Sequence, residues 1–303
     1  MQTERIARIA GGARRAGRPA LCTAAAVAAL GYAASSEAGA FVIADGNASA
    51  VFEELGLGLT SWEIDGTDHL GLQGFWFREQ GGNVEVPLSN LGLLGITTTD
   101  TDPVIAGVSD DRDDTLVAVY GDANDLTFTV RLSLDGGLPG SGASDLAEQI
   151  SIDNRGDTTR SFSFFQYVDF NLSGDGTDDF AFLQNANTVL QEDAFTSVAE
   201  TVVTPSPDFA EIRPVPDTLN ELQDNNADNL EVALAGLDSF VPIGFQGDVS
   251  WAFQWDVELA PGETFQISKD KRLQVVPEPG SVALLTAASG LLLSRRRRRR
   301  PGA

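Results

Sequence analysis

Apolar and polar residues alternate with a period of two along several stretches of the chain between residues 41 and 276. Three runs carry the pattern most clearly: Leu126, Phe128, Val130, Leu132 and Leu134; Phe162, Phe164, Val168, Phe170 and Leu172; and Val249, Trp251, Phe253, Trp255, Val257 and Leu259. Such alternation is typical of a strand with one face in a core and the other in water. The pattern therefore predicts strands in these runs, with Trp251 and Trp255 in the core.

Turn motifs separate these runs from further apolar segments. Glycine combined with Asp, Asn or Pro occurs at 135–137, 154–157 and 261–262, which is typical of tight turns. Further strands are predicted at Phe41–Ala44, Leu70–Arg78, Leu116–Tyr120, Asp145–Asp153, Phe180–Leu183, Ala194–Val203 and Phe265–Val275. The one helical pattern in this region is a turn at Asp217–Gln223.

Many short strands without intervening helices indicate an all-β fold, and we predict a β-sandwich or jelly-roll-like body over residues 41–275. Its length fits one large sandwich or two small ones. If there are two, the segment 204–229 is the predicted joint, because it is rich in Pro, Asp and Asn.

Residues 1–40 have the pattern of a secretory signal peptide. Five arginines precede an alanine-rich apolar run, and the small residues Ala38 and Ala40 flank Gly39 in the arrangement that signal peptidase cleaves. We predict a signal helix removed by cleavage after Ala40. The only cysteine, Cys22, lies within this segment, so the mature chain would have no thiol chemistry.

Residues 276–300 contain three elements in order. Pro277, Glu278 and Pro279 come first, an apolar stretch covers 281–294, and six arginines follow: Arg295, Arg296, Arg297, Arg298, Arg299 and Arg300. Fourteen helical residues at about 1.5 Å each give a short transmembrane helix. The arginines would stay on the cytoplasmic side of the inner membrane, leaving the body outside.

This arrangement resembles the PEP-CTERM sorting signal of Gram-negative bacteria. The resemblance implies that an exosortase, a membrane cysteine protease, recognises the segment and releases or transfers the body. It also implies a place at the cell surface or in the extracellular matrix after a transient stay in the inner membrane. Proteins of this kind are typically associated with exopolysaccharide and biofilm, which makes exopolysaccharide a candidate partner.

Charge and composition exclude several functional classes. Residues 41–276 contain 9 basic and 41 acidic residues, a formal charge of −32 that would repel a phosphate backbone, so no nucleic-acid partner is expected. His69 is the only histidine and no Gly-x-Ser-x-Gly motif occurs, which disfavours a Ser-His-Asp triad and a His/Cys zinc site. No phosphate-binding glycine loop is present, and the body's only lysines are Lys269 and Lys271.

The segment 169–179 is the strongest candidate for a metal site. Its oxygen-bearing side chains are Asp169, Asn171, Ser173, Asp175, Asp178 and Asp179, interspersed with glycine. Calcium prefers such ligands, and the spacing partly resembles the calcium loops of EF-hands and dockerins. Phe180 stands where those loops have a bidentate Glu, so an acidic hairpin tip without a metal is the alternative.

Trp62 and Trp76 are the candidate contacts for sugar rings. Trp76 lies between Phe75 and Phe77, so this strand has aromatic side chains on both faces, and some of them are expected to be exposed. The leading hypothesis is a non-catalytic protein of the cell surface or matrix, delivered by its C-terminal signal. The first alternative is a carbohydrate-binding module that contacts exopolysaccharide. The second is a carbohydrate-active hydrolase or lyase with a carboxylate pair in a cleft.

Overall fold

The computed structural model describes residues 39–54, 56–101, 111–237 and 243–276. In chain order the strands are β1 (Ala40–Asp45), β2 (Ala48–Glu53), β3 (Gly58–Ile64), β4 (Thr67–Asp68), β5 (Leu70–Glu79), β6 (Val86–Pro87), β7 (Leu93–Thr99), β8 (Thr115–Gly121), β9 (Leu126–Gly136), β10 (Ala143–Asn154), β11 (Arg160–Phe170), β12 (Phe180–Asn185), β13 (Thr188–Glu192), β14 (Thr196–Thr204), β15 (Phe209–Pro214), β16 (Val232–Ala233), β17 (Gly244–Gln246), β18 (Val249–Leu259) and β19 (Thr264–Val275). Within these ranges there is one α-helix, α1, which covers Asp217–Gln223. The all-β class predicted from the alternating pattern is confirmed.

The strands form two antiparallel sheets. Sheet A has the order β1-β2-β3-β5-β11-β18-β15-β16, with β4 beside β3 and β6 beside β5. Sheet B has the order β17-β12-β13-β14-β19-β10-β9-β8-β7. The chain crosses between the sheets several times, so strands distant in sequence are neighbours: β11 lies between β5 and β18.

The main core lies between the sheets, where the alternating apolar residues of both point inward. Phe128 of sheet B contacts Phe77, Phe162 and Phe164 of sheet A, with ring centroids 5.2–6.3 Å apart. Trp251 and Trp255 are 0% and 1% exposed, as predicted. Burial of this many large apolar side chains is the main stabilising contribution to the fold.

A smaller apolar cluster covers part of the other face of sheet A. Its buried members are Trp76, Phe165, Tyr167, Leu222, Leu230 and Ala252. Leu222 belongs to α1, so the segment after β15 folds back onto the sheet rather than linking two sandwiches. Of the two alternatives for the body, the topology fits one large sandwich, because β15, within the possible joint at 204–229, pairs with β18 in the same sheet as β5 and β11.

Several predictions fall on the chain termini. Ala40 is the first residue of β1 and pairs with Glu53. Ala38, the Pro277–Pro279 motif and the arginines at 295–300 lie outside the described residues, as do the predicted signal helix and transmembrane helix. Within the described ranges, no helix has the length and apolar character needed to span a membrane.

Candidate functional site

An open polar groove lies on the face of sheet A that points away from sheet B. It encloses about 410 Å³ and lies beside the segment that returns from α1. The lining residues that bear hydrogen-bonding side chains are Arg78, Gln80, Ser161, Ser163, Asn229, Asp256 and Glu258. We call this the sheet A groove. Alternation along β5, β11 and β18 places Arg78, Ser163 and Asp256 side by side, since these residues are register partners.

Arg78 is the cationic anchor of the groove. Its guanidinium donates to the buried carboxylate of Glu85, to the carbonyl of Asp228 and, at 2.6 Å, to Asn229 Oδ1. The guanidinium carbon also lies 5.4 Å from the centroid of the Phe165 ring. These contacts hold a planar, permanently charged donor at the groove wall.

Asp256 organises the acceptors next to it. Its Oδ1 accepts from Ser163 Oγ at 2.7 Å and from Gln254 Nε2 at 2.9 Å. Gln254 Nε2 also donates to Asn229 Oδ1 at 3.1 Å, which links Asp256 to the Arg78 cluster. Glu258 follows two residues later on the same face, and its Oε2 accepts from Ser161 Oγ at 3.5 Å. The groove thus offers fixed donors and acceptors of the kind that bind a polyhydroxylated ligand.

Four charged residues in the main core were missed by the sequence analysis. Lys269, Lys271, Glu148 and Glu200 are all fully buried between the sheets, and we call them the core charge network. Lys269 Nζ lies 2.5 Å from Glu148 Oε1 and 3.2 Å from Glu200 Oε1. The signal was present, because these residues occupy apolar positions of alternating strands. Their in-phase neighbours are Leu146 and Ile150 in β10, Val198 and Val202 in β14, and Ile267 and Leu273 in β19.

The network balances two positive and two negative charges. Burial alone would raise the pKa of Glu148, but the two ammonium groups outweigh it and hold that pKa at about 2. Burial lowers the pKa of Lys269 below its ordinary value, whereas the carboxylates raise that of Lys271 in spite of its burial. Trp251 Nε1 donates to Glu200 Oε2 at 3.0 Å and Gln73 Nε2 donates to Glu148 Oε2 at 2.5 Å. With no exposure to solvent, this network organises the core rather than binding a ligand.

The structure divides the predicted calcium ligands into separate groups. Asp178 and Asp179 lie together, and Asp193 joins them from the turn between β13 and β14. Burial is the main cause that raises the pKa of Asp179 to about 7, and Asp193 and Asp178 add to it. Ser173 is not in this group, because its hydroxyl lies 2.8 Å from Thr196 Oγ1.

Asp169 and Asn171 lie next to Gly71, and Asn171 and Asp248 lie next to Gly176. Burial, followed by the charges of Asp248 and Asp179, raises the pKa of Asp169 to about 7. Asp175 is exposed, and hydrogen bonds from the Thr177 side chain and, at 3.1 Å, from Thr177 N lower its pKa. A single loop containing all six predicted ligands is therefore not formed.

His69 is fully buried between β4 and β5, and it borders a second cavity of about 310 Å³. Its Nδ1 accepts from Ser173 N at 3.0 Å, while Nε2 has no hydrogen-bond partner. Burial lowers its pKa, so the ring is neutral near pH 7.

Neither predicted sugar platform is available. Trp62 and Trp76 are both 0% exposed, which corrects their assignment as glycan contacts. Trp62 lies between the sheets, and its Nε1 donates a hydrogen bond to Ser144 Oγ at 3.3 Å. Trp76 packs edge-on against Tyr167 beneath the α1 segment. The consecutive aromatic residues of β5 are buried on both faces of the strand. The face that was expected to be exposed is covered by the smaller apolar cluster, which includes Trp76.

No family model matches the chain, and no curated protein matches its sequence. Among solved structures, the galactose mutarotase related enzyme from Lactobacillus acidophilus aligns with a TM-score of 0.50 and 10% identity, over 79% of this chain and 99% of that one. Galactose 1-epimerase from Lactobacillus acidophilus NCFM gives a TM-score of 0.48 and 10% identity, over 77% and 93%. A bacterial glucoamylase complexed with acarbose gives 0.49 and 9%, over 82% of this chain and 35% of the glucoamylase, so the chain spans about a third of that protein.

The first of these likenesses establishes a fold shared with a galactose mutarotase related enzyme. The prediction of a non-catalytic, non-enzymatic body, which rested on the lack of recognisable catalytic motifs and on the sorting signal, is therefore corrected, because the fold it shares is that of an enzyme-related protein. The carbohydrate alternatives are better supported.

Proposed function

We propose that the body binds a sugar in the sheet A groove and acts on it chemically. The observation that carries this proposal is the hydrogen-bonded series from Arg78 through Asn229 and Gln254 to Asp256 at the groove wall. A sugar presents hydroxyls that both donate and accept, and this series holds donors and acceptors in fixed directions. The fold shared with a galactose mutarotase related enzyme supports a hexose as the first substrate to test.

Asp256 and Glu258 are the groups that we assign to proton transfer. They project from the same face of β18, and two residues of a strand span about 6.6 Å, so one sugar ring can contact both. Reaction at an anomeric carbon requires that a proton be taken from one oxygen and given to another. Arg78 supplies a fixed positive charge that favours developing negative charge on a sugar oxygen.

The test uses the full chain with galactose and glucose. Calorimetric titration measures binding, and NMR exchange spectroscopy measures the rate at which α and β anomers interconvert. We expect Asp256→Asn to weaken binding at least about 10-fold, and Glu258→Gln to slow turnover more than it weakens binding. The matched control is Asp157→Asn, which alters an exposed acidic residue in the turn between β10 and β11. If the wild-type chain neither binds nor converts these sugars or a glycan that contains them, the proposal is wrong.

We also propose that the chain is exported, held transiently in the inner membrane, and sorted by an exosortase to the cell surface or matrix. Two features of the sequence support this proposal. Pro277–Glu278–Pro279, an apolar stretch and an arginine cluster follow one another over residues 276–300, and residues 1–40 have the pattern of a cleaved signal peptide. Exopolysaccharide at that location would provide sugar for the groove.

Replacing Pro277, Glu278 and Pro279 with alanine tests the sorting proposal. The expected result is a larger, unprocessed protein that stays with the membrane fraction. Replacing the neighbouring Val275 and Val276 with alanine is the control for a nonspecific effect of mutation. Normal size and release of the triple variant would show that the motif is not a sorting signal.

A further inference from the structure

Three carboxylates from two separate segments converge at one end of sheet B. Asp178 and Asp179 belong to the connection between β11 of sheet A and β12 of sheet B, and Asp193 belongs to the turn between β13 and β14. One oxygen of each lies within 4.8 Å of the others. Three negative charges at this separation repel one another strongly unless a cation or a proton lies among them.

Local hydrogen bonds hold the carboxylates of Asp179 and Asp193 in place. Asp193 Oδ1 accepts from the backbone N–H groups of Phe195 and Thr196 at 2.6 and 2.5 Å. Asp179 Oδ2 accepts from Leu172 N at 3.3 Å and from Gln191 Nε2. Each of the two carboxylates is therefore fixed through one oxygen.

Two further buried oxygens at this cluster lack hydrogen-bond partners. Asp179 is 0% exposed, and its Oδ1 has no hydrogen-bond partner. Gln191, which contacts Asp179, is equally buried, and its Oε1 is also without a partner. Among the ion pairs of the described residues, none joins a lysine or arginine to any of the three carboxylates. Burying such oxygens without a partner is costly, so the arrangement calls for a ligand that oxygen atoms can coordinate.

We propose that Asp178, Asp179 and Asp193 form a binding site for a divalent cation, with calcium as the preferred ion. All the available donors are oxygens, which is the ligand set that calcium prefers, whereas structural zinc sites are built mainly from cysteine sulfur and histidine nitrogen. The exposed side chain of Asp178 leaves one side of the site open for water to complete the coordination. The cation would tie the connection between the two sheets to the β13–β14 turn.

Thermal unfolding of the full chain, first stripped with chelator and then titrated with calcium chloride, tests this site. A ligand that binds only the folded state raises the unfolding temperature, by roughly 5–10 °C at a concentration about 100 times its dissociation constant. Terbium luminescence reports binding directly. Absence of both responses in the wild-type chain would overturn the proposal and leave a shared proton as the explanation of the cluster.

Variants locate the site. Asp178→Asn changes an exposed side chain, so it should fold normally while weakening calcium affinity at least about 10-fold. Asp179→Asn should abolish the calcium response. Asp157→Asn, an exposed carboxylate elsewhere, should leave the response unchanged. If Asp169→Asn removes the response and Asp178→Asn does not, the cation binds at the Asp169 and Asp248 group and the proposal is wrong.

Discussion

Lys271 Nζ lies 3.0 Å from Glu148 Oε2, with both side chains fully buried between the two sheets. The only two lysines of the body are thus in its core, although the body is strongly acidic overall. Taking such charges out of water is costly, and the pairing offsets that cost only while every member of the network is present.

Removing Glu148 should therefore destabilise the protein severely. Glu148→Ala leaves two buried ammonium groups with one carboxylate, and we expect a loss of about 3–5 kcal/mol in the free energy of unfolding, measured with urea. The control is Arg155→Ala, since Arg155 and Asp153 form an ion pair 3.6 Å long with side chains 55% and 25% exposed. That variant should lose less than about 1 kcal/mol. Equal losses would show that the buried network is not electrostatically necessary.

The network also predicts an acid-sensitive stability. The folded-state pKa of Glu148 is held at about 2, below the ordinary value of 4.5, because both lysines face it. A carboxylate with a depressed pKa contributes stability that is present above its ordinary pKa and lost as pH falls toward the folded value. We expect the wild-type chain to lose stability between pH 4.5 and 2 more steeply than Glu148→Gln, which cannot titrate. Parallel pH profiles would contradict the assignment.

Asp169 should behave in the opposite sense. Its folded-state pKa is raised to about 7 by burial and by Asp248, so its ionisation disfavours the folded state as pH rises from about 4 to 7. Asp169→Asn should be more stable than wild type at pH 8 by about 1–3 kcal/mol, and no more stable at pH 4. Urea unfolding in the presence of chelator measures this difference. The matched Asp157→Asn variant should show no such gain at either pH.

Arg78 should couple the groove to the segment after α1. Arg78→Ala leaves the buried Glu85 unpaired and removes the bonds to Asp228 and Asn229, so we expect a loss of about 3 kcal/mol in stability. Hydrogen exchange over residues 224–230 should increase in the same variant. Arg78→Lys keeps the charge without the planar fork, and it should restore only part of both effects. Unchanged exchange would show that Arg78 does not hold this segment.

Gly121 is required by close packing at the end of β8. Its φ is +111°, and an added Cβ would lie 2.2 Å from the carbonyl oxygen of Leu126. Gly262→Ala is the control, because Gly262 also has a positive φ, +79°, but has open space around it. Alanine is strained by the positive φ at both positions, but only Gly121→Ala also has to displace β9. Gly121→Ala should therefore be less stable than Gly262→Ala by more than about 1 kcal/mol in the free energy of unfolding. Equal midpoints in urea would exclude a steric effect.

Local periodicity was sufficient to predict the secondary structure of the longer elements. The alternation over 249–259 coincides with β18, and the helical turn at Asp217–Gln223 coincides with α1. Shorter strands such as β2 and β13 were missed, because a few residues do not establish a period. Their strand conformation depends on pairing with neighbours.

Alternation determined which side chains share a face, and it did so from the sequence by itself because successive side chains of a strand point in opposite directions. It placed Asp256 opposite Trp255, and it put Lys269 and Lys271 in phase with apolar neighbours. What each face would meet was decided only by the tertiary structure. The α1 segment covers Trp76, and register pairing brings Arg78, Ser163 and Asp256 together from three distant strands. Contacts between strands far apart in sequence depend on topology, which a single chain's local pattern does not encode.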